Sequence, residues 1–224
     1  MPSTIVYVSN LWARDRSTRP IGFTISLHEY RAAQSVDRLF GDAPLRLPEL
    51  VRGLIDSLWI HRVPKPVVQV SPPAPTKIPA QSNAIVIGAA SRNSVRAAYV
   101  DNNLTFLQLD YEDQSKRTMD GHEGASGNVL IARGPRIGQV VESNGLHLAV
   151  VEKLYDPDSG EAVFFCAGVR GDTSWGAAEY LVRNWLKLHR EFGSGAFALG
   201  LGFAIGDEYL EQYVDPRRVV SLPR

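Results

Sequence analysis

Two short polar turns, each between an apolar run and a helical pattern, carry the residues best suited to binding a ligand. The first turn supplies Gly88, Ser91, Arg92, Asn93 and Ser94. The second supplies Gly168, Arg170, Gly171, Asp172, Thr173 and Ser174. Backbone N–H groups and hydroxyls can hold a phosphate, and an arginine can pair with it. Together the two turns predict a site for an anionic ligand of the nucleotide type, whose identity the sequence leaves open.

Each charged residue has an expected function in this scheme. Arg92 and Arg170 would neutralise phosphate charge, and Asp172 would orient a ribose hydroxyl. The hydroxyls and the asparagine amide of the two turns would donate hydrogen bonds to the phosphate. A first alternative is a nucleotide or N-glycosidic hydrolase that uses Glu179 or Asp172 as its carboxylate. A second is a non-catalytic assembly module, in which the turns serve only structure. Neither turn matches the GxGxxG motif or a P-loop, and this alternative is therefore kept.

The elements around the turns predict an α/β fold. Ala162–Ala167 indicates a buried strand and Trp175–Arg190 an amphipathic helix, while Ala84–Ile87 and Ser94–Val100 repeat the strand–turn–helix order. We expect a Rossmann-like mixed sheet with helices on both faces, and a crevice where the two turns meet. Further strands are expected at Leu104–Leu109, Val129–Ala132, Ile137–Val141, Leu146–Leu154, Phe197–Ile205 and Arg218–Leu222.

Proline content divides the chain into three predicted parts. Residues 1–62 form a small α+β module, residues 63–80 a proline-rich linker, and residues 81–224 the Rossmann-like domain. The module contains predicted strands at Thr4–Ser9 and Ile21–Leu27 and predicted helices at His28–Phe40 and Leu47–Ile60. A unit of this size seldom has a hydrophobic core large enough to fold by itself. We therefore expect the module to dock on the rest of the chain, on a protein partner or on a second copy of the chain.

Composition argues against several classes of function. The 224 residues include 24 basic and 24 acidic ones, so nothing favours electrostatic capture of nucleic acid. No apolar run is long enough to span a membrane, and a cytoplasmic protein is expected. Cys166, the only cysteine, lies in an apolar run and is expected to be a buried hydrophobe. The acidic run from Asp110 to Glu123 lacks a metal-ligand pattern and is expected to be a solvated loop.

The second turn also resembles a known motif. Gly168–Glu179, GVRGDTSWGAAE, is similar to the GGxGTxxE phosphate-binding motif of the LOG/SLOG Rossmann-like superfamily. That group includes nucleotide-processing hydrolases and nucleotide sensors of prokaryotic defence systems. The resemblance implies that Gly168, Gly171 and Thr173 meet the phosphates and that Glu179 is the candidate catalytic acid.

A second resemblance covers both turns. The run from Val86 to Asn93, followed by Ala167–Gly168, Thr173 and Ala177–Ala178, is similar to a Rossmann-like domain of archaeal surface-layer proteins. In that domain a strand, a glycine turn with an asparagine and a later alanine-rich helix recur. This likeness implies a structural function rather than catalysis.

Overall fold

A computed structural model of the chain describes residues 3–9, 26–42, 66–72, 74, 76–112, 129–132, 140–142, 144–204 and 212–223. The strands are β1 Ser3–Val8, β2 Val67–Val70, β3 Ser82–Ile87, β4 Leu107–Leu109, β5 Val129–Ala132, β6 Val140–Glu142, β7 His147–Tyr155, β8 Ala162–Gly168, β9 Phe197–Phe203 and β10 Arg217–Pro223. The helices are α1 Leu27–Asp42, α2 Ser94–Asp101 and α3 Gly171–Phe192, and Asp110–Glu112 forms a 3₁₀ turn. The predicted mixed α/β class is confirmed.

A seven-stranded mixed sheet carries the fold, in the order β10-β9-β7-β8-β3-β1-β2. The four neighbours β2, β1, β3 and β8 run parallel, whereas β7 and β10 run antiparallel to their neighbours. Because β1, β3 and β8 are adjacent and parallel, their carboxyl ends lie at one edge of the sheet. In open α/β sheets this edge is the usual position of a ligand site.

The central strands are buried on both of their sides, because alternate residues join different apolar clusters. One set packs with α1 and α3 and comprises Val6, Val8, Ile85, Ile87 and Cys166. The other set packs with Val95 and Tyr99 of α2 and comprises Ile5, Tyr7, Ala84, Val86 and Phe165. This explains why these strands appear in the sequence as continuous apolar runs.

A second sheet of three antiparallel strands, β4-β5-β6, packs against the large one. Leu107, Leu109 and Leu130 share an apolar cluster with Leu148 and Val150 of β7. The small sheet therefore covers part of the large sheet close to the end of α2.

A buried ion pair ties the small sheet to the first turn. It corrects the expected solvated loop at its start, because Asp110 and Glu112 are buried, while residues 113–123 of the acidic run lie outside the described residues. Arg96 of α2 donates to both carboxylate oxygens of Glu112, Nε to Oε1 at 2.7 Å and Nη2 to Oε2 at 2.9 Å, and both side chains are fully buried. Glu112 also accepts from the N–H groups of Ala90 (2.8 Å) and Leu109 (3.0 Å). Burial alone would raise the pKa of Glu112, but Arg96 and these N–H groups hold it below its ordinary value.

The sheet does not follow the three predicted parts of the chain. β1 pairs with β2 and β3, so the start of the predicted N-terminal module lies inside the same sheet as the strands beyond residue 81. β2 lies in the predicted linker, because Val67–Val70 is a proline-free stretch rich in valine that can pair with an edge.

Other predicted elements fall partly outside the described residues. The predicted helix at Leu47–Ile60 lies outside them entirely, as does most of the predicted strand at Ile21–Leu27. Leu27, the last residue of that strand, instead begins α1. None of the helices in the described part of the chain is long and apolar enough to cross a membrane.

We expect Glu112→Ala to lower the free energy of unfolding by about 3–5 kcal/mol, because the buried Arg96 loses both hydrogen bonds to Glu112, and the Glu152 carboxylate that remains nearby lies at 3.8 Å. Urea-induced unfolding measures the loss. Glu191→Ala is the control, because it breaks the partly exposed pair of Glu191 with Arg218 (2.8 Å) and is expected to cost less than about 1 kcal/mol. Equal losses in the two variants would contradict the importance of the buried pair.

Candidate functional site

A cleft of about 500 Å³ opens at the carboxyl edge shared by β1, β3 and β8. Three segments line it: the start of α1, the turn after β3, and the turn between β8 and α3. The lining residues are Ser26, His28 and Glu29, then Ala89, Ser91 and Arg92, and then Gly168, Val169, Arg170, Gly171 and Ser174. The structure therefore brings the two turns of the sequence analysis together and adds a third wall.

The hydroxyls of the second turn hold the turn itself. Thr173 Oγ1 accepts from the N–H of Arg170 and donates to its carbonyl, both at 3.0 Å. Ser174 Oγ accepts from the N–H of Gly168 at 2.9 Å and donates to the Arg170 carbonyl at 3.1 Å. A Cβ on Gly168 would lie 2.3 Å from Thr173 Oγ1, so only glycine allows this approach. These groups shape the cleft wall, and the hydroxyls are already engaged in it.

Asp172 pairs with Arg170 rather than facing the cleft. Arg170 Nη2 lies 3.0 Å from Asp172 Oδ2, and the Asp172 side chain is fully buried. Asp172 Oδ1 also accepts from the N–H of Thr173 at 2.7 Å. Asp172 therefore orients Arg170 and offsets part of its charge, and it is not among the lining residues that would meet a ribose.

Some polar residues of the first turn stabilise the fold, and others line the cleft. Asn93 caps α2, since its Oδ1 accepts from the N–H groups of Val95 and Arg96 at 3.1 and 3.3 Å, and its Nδ2 donates to the last carbonyl of β3 at 2.9 Å. The Ser94 hydroxyl donates to a carbonyl of the segment after β2. Ser91 and Arg92 line the cleft instead, and Arg92 is exposed.

Gly88 contributes by having no side chain. Its φ of +105° lies in the region that favours glycine, and a Cβ there would lie 2.0 Å from Ser9 Oγ and 2.8 Å from Glu29 Oε1. Gly88 therefore permits the end of β1 and the start of α1 to approach the first turn.

Glu29 lies in the third wall of the cleft, at the start of α1, and was not predicted as a site residue from the sequence. Ser26 Oγ accepts from the N–H of Glu29 at 3.1 Å, as in a helix cap, and Glu29 Oε2 accepts from the N–H of Ser9 at 3.0 Å. The side chain is 3% exposed, and burial raises its pKa to about 7, although Ser9 and Arg92 oppose the rise. The Ser26-x-x-Glu29 spacing signals a helix start, but assigning Ile21–Leu27 to a strand concealed it.

The remaining predicted residues lie away from the cleft opening. Glu179 is mostly buried on α3, pairs with Arg183 at 3.0 Å, and is not among the lining residues. Cys166 is fully buried, and burial raises the pKa of its thiol to about 12, as expected for a small core residue. Among the described residues, no three His, Cys, Asp or Glu side chains gather as metal ligands.

No protein-family model, curated protein or solved structure matches this chain. The resemblance of the second turn to the LOG/SLOG motif and the resemblance of both turns to the surface-layer domain therefore stay predictions.

We expect Glu29→Gln to flatten part of the pH dependence of stability. Between pH 4.5 and about 7 the unfolded chain loses the Glu29 proton while the folded chain keeps it, so wild-type stability falls as pH rises through this window. The variant has no such proton and should gain about 3 kcal/mol relative to the wild type across the window. Urea unfolding at a series of pH values measures the difference.

Asp37→Asn provides the control for this experiment. Asp37 lies on the same helix, two turns beyond Glu29, and is only half-buried. The difference in free energy of unfolding between the Asp37→Asn variant and the wild type should vary much less with pH. A Glu29→Gln curve parallel to that of the wild type would show that Glu29 titrates normally in the folded chain.

Proposed function

We propose that the protein recognises a nucleotide or nucleotide derivative in the cleft and acts as a sensor or regulatory protein. The observation that carries this proposal is the convergence of two polar turns, after β3 and after β8, and of the start of α1 on one cavity beside the first residue of a long helix. We further propose that the large sheet is Rossmann-like, with α1 and α3 on one face and α2 on the other. The separate clusters of these helices support that arrangement.

The start of α3 favours an anion. Gly171 is the first residue of this 22-residue helix and lines the cleft. A helix carries about half a positive charge at this end. The N–H groups of Thr173 and Ser174 already donate to Asp172 Oδ1 and to the Arg170 carbonyl, so a phosphate placed there would be favoured by the helix dipole rather than by those two N–H groups.

Arg92 has the larger part in neutralising the ligand. Its side chain is exposed at the cleft, whereas Arg170 pairs with the buried Asp172. An arginine that already has a carboxylate partner contributes less net charge to a ligand. We therefore assign the main phosphate contact to Arg92 and a supporting hydrogen bond to Arg170.

The size of the cavity favours more than a lone phosphate. Small-molecule sites in proteins span roughly 300–1,000 Å³, and this cleft of about 500 Å³ falls within that range. A phosphate at Arg92 and α3 would leave most of the volume for the sugar and base of a nucleotide.

Binding without turnover is better supported than hydrolysis. The hydrolase alternative needs Glu179 or Asp172 next to the ligand, but Glu179 pairs with Arg183 and Asp172 with Arg170. The assembly alternative gives no function to a cleft that buries a carboxyl beside an exposed arginine. A place in prokaryotic defence, a cytoplasmic location and association through residues 1–62 stay predictions.

Thermal unfolding against a nucleotide panel tests the proposed function. The panel contains mono-, di-, cyclic and dinucleotides, including NAD. A ligand at about 100 times its dissociation constant adds about 2.7 kcal/mol, which raises the unfolding midpoint by roughly 5–10 °C for a chain of this size. We expect Arg92→Ala to remove most of that rise.

Arg190→Ala is the matched control, because this exposed arginine lies near the other end of α3 from the cleft. It should leave the ligand-induced rise unchanged. A flat panel with a well-folded wild type would refute nucleotide recognition and leave the assembly module as the better interpretation.

A further inference from the structure

Glu29 is a buried carboxyl in the cleft wall that phosphate binding leaves without a function. Its exposed fraction is 3%, yet it lines the cavity together with His28 and Arg92. One oxygen, Oε2, accepts from the N–H of Ser9 at 3.0 Å. Burying a carboxyl is costly, and the contact with Ser9 offsets only part of that cost, since the pKa of Glu29 stays raised.

The chemistry of a carboxylate restricts what can lie against Glu29. An ionised carboxylate only accepts hydrogen bonds, and it repels a phosphate placed beside it. The part of the ligand next to Glu29 must therefore carry hydrogen-bond donors. Hydroxyl groups of a sugar meet this requirement, and the cavity has room for a sugar beside the phosphates.

The two requirements fall on different segments of the cleft wall. Arg92, Arg170 and the start of α3 belong to the two turns, while Glu29 belongs to α1 and lies close enough to Arg92 for that charge to oppose the rise in the pKa of Glu29. Asp172, which the sequence predicts as the ribose contact, is fully buried against Arg170 and does not line the cavity. Among the described residues, Glu29 is the acidic residue that does line it.

We propose that Glu29 accepts hydrogen bonds from the ribose hydroxyls of a ribonucleotide whose phosphates lie at Arg92 and the first turn of α3. This inference rests on the proposed function and narrows its ligand class to ribonucleotides. The glycine at position 88 is part of the same device, because a Cβ there would lie 2.8 Å from Glu29 Oε1 and displace the carboxyl.

Glu29 performs this function best when it is ionised. Burial raises its pKa to about 7, so binding is best measured at about pH 8. In the described part of the chain, the charged and titratable groups that line the cleft around it are His28 on the same helix, Arg92 from the first turn and Arg170 from the second.

The test compares ribonucleotides with forms that lack the hydroxyls. Isothermal titration at about pH 8 uses ATP, GTP, CTP and UTP, their 2′,3′-dideoxy counterparts, and inorganic tripolyphosphate. We expect at least one ribonucleotide to bind about tenfold to a hundredfold more tightly than its dideoxy form, as for hydrogen bonds to a charged acceptor. Glu29→Gln should reduce that ratio severalfold or more.

Two controls test whether a change in the ratio is specific to the Glu29 carboxylate. Asp37→Asn, on the same helix but away from the cleft, should preserve the wild-type ratio. Glu29→Gln keeps the shape of the side chain and an oxygen for the N–H of Ser9, so its fold can be checked by circular dichroism and its tripolyphosphate affinity should not fall.

The outcomes separate the two proposals. Equal binding of ribo and dideoxy forms would overturn the assignment of Glu29 while leaving nucleotide recognition in place. An unchanged ratio in Glu29→Gln would do the same. If no triphosphate binds, the assignment of Glu29 fails, and nucleotide recognition fails with it only if the wider thermal panel is also flat.

Discussion

The cleft depends on a buried charge pair that lies behind it. Arg96 and Glu112 neutralise each other at full burial, and Glu112 also accepts the N–H of Ala90 in the first turn. Without Arg96, the desolvated carboxylate would not persist, and the turn would lose the acceptor that fixes its backbone. The same carboxylate accepts from Leu109 in the small sheet, so one side chain joins α2, the small sheet and the cleft wall.

A second carboxyl, Glu152, shares this interior without being equally satisfied. Arg96 Nη1 lies 3.8 Å from Glu152 Oε2, beyond hydrogen-bond distance, and burial raises the pKa of Glu152 to about 7. One arginine therefore holds one carboxylate in its charged form and leaves the other near its titration point. Glu112 lies closest to the Arg96 charge, which does most to lower its pKa, whereas Glu152 accepts the N–H of Phe106 but lies farther from Arg96 and is repelled by the Glu112 charge.

The sequence predicted those parts of the fold that depend on interactions between residues close together in the chain. The strand–turn–helix units around Gly88 and Gly168 appear in the sequence because apolar runs, turn residues and helix caps are adjacent. The pairing of β1 with β3 and the entry of β2 into the sheet depend on contacts between distant residues. Glu29 was missed for the same reason, since its burial depends on Ser9 and on the absence of a side chain at Gly88.

The central position of β1 has a consequence for how the chain assembles. Tyr155 and Ala162 pair across a short turn, whereas the hydroxyls of Ser3 and Ser82 meet 79 residues apart. Closing so long a loop costs more conformational entropy, and contacts of high sequence separation form slowly. The wall that bears Glu29 therefore rests on a strand that reaches its place only through contacts of high sequence separation.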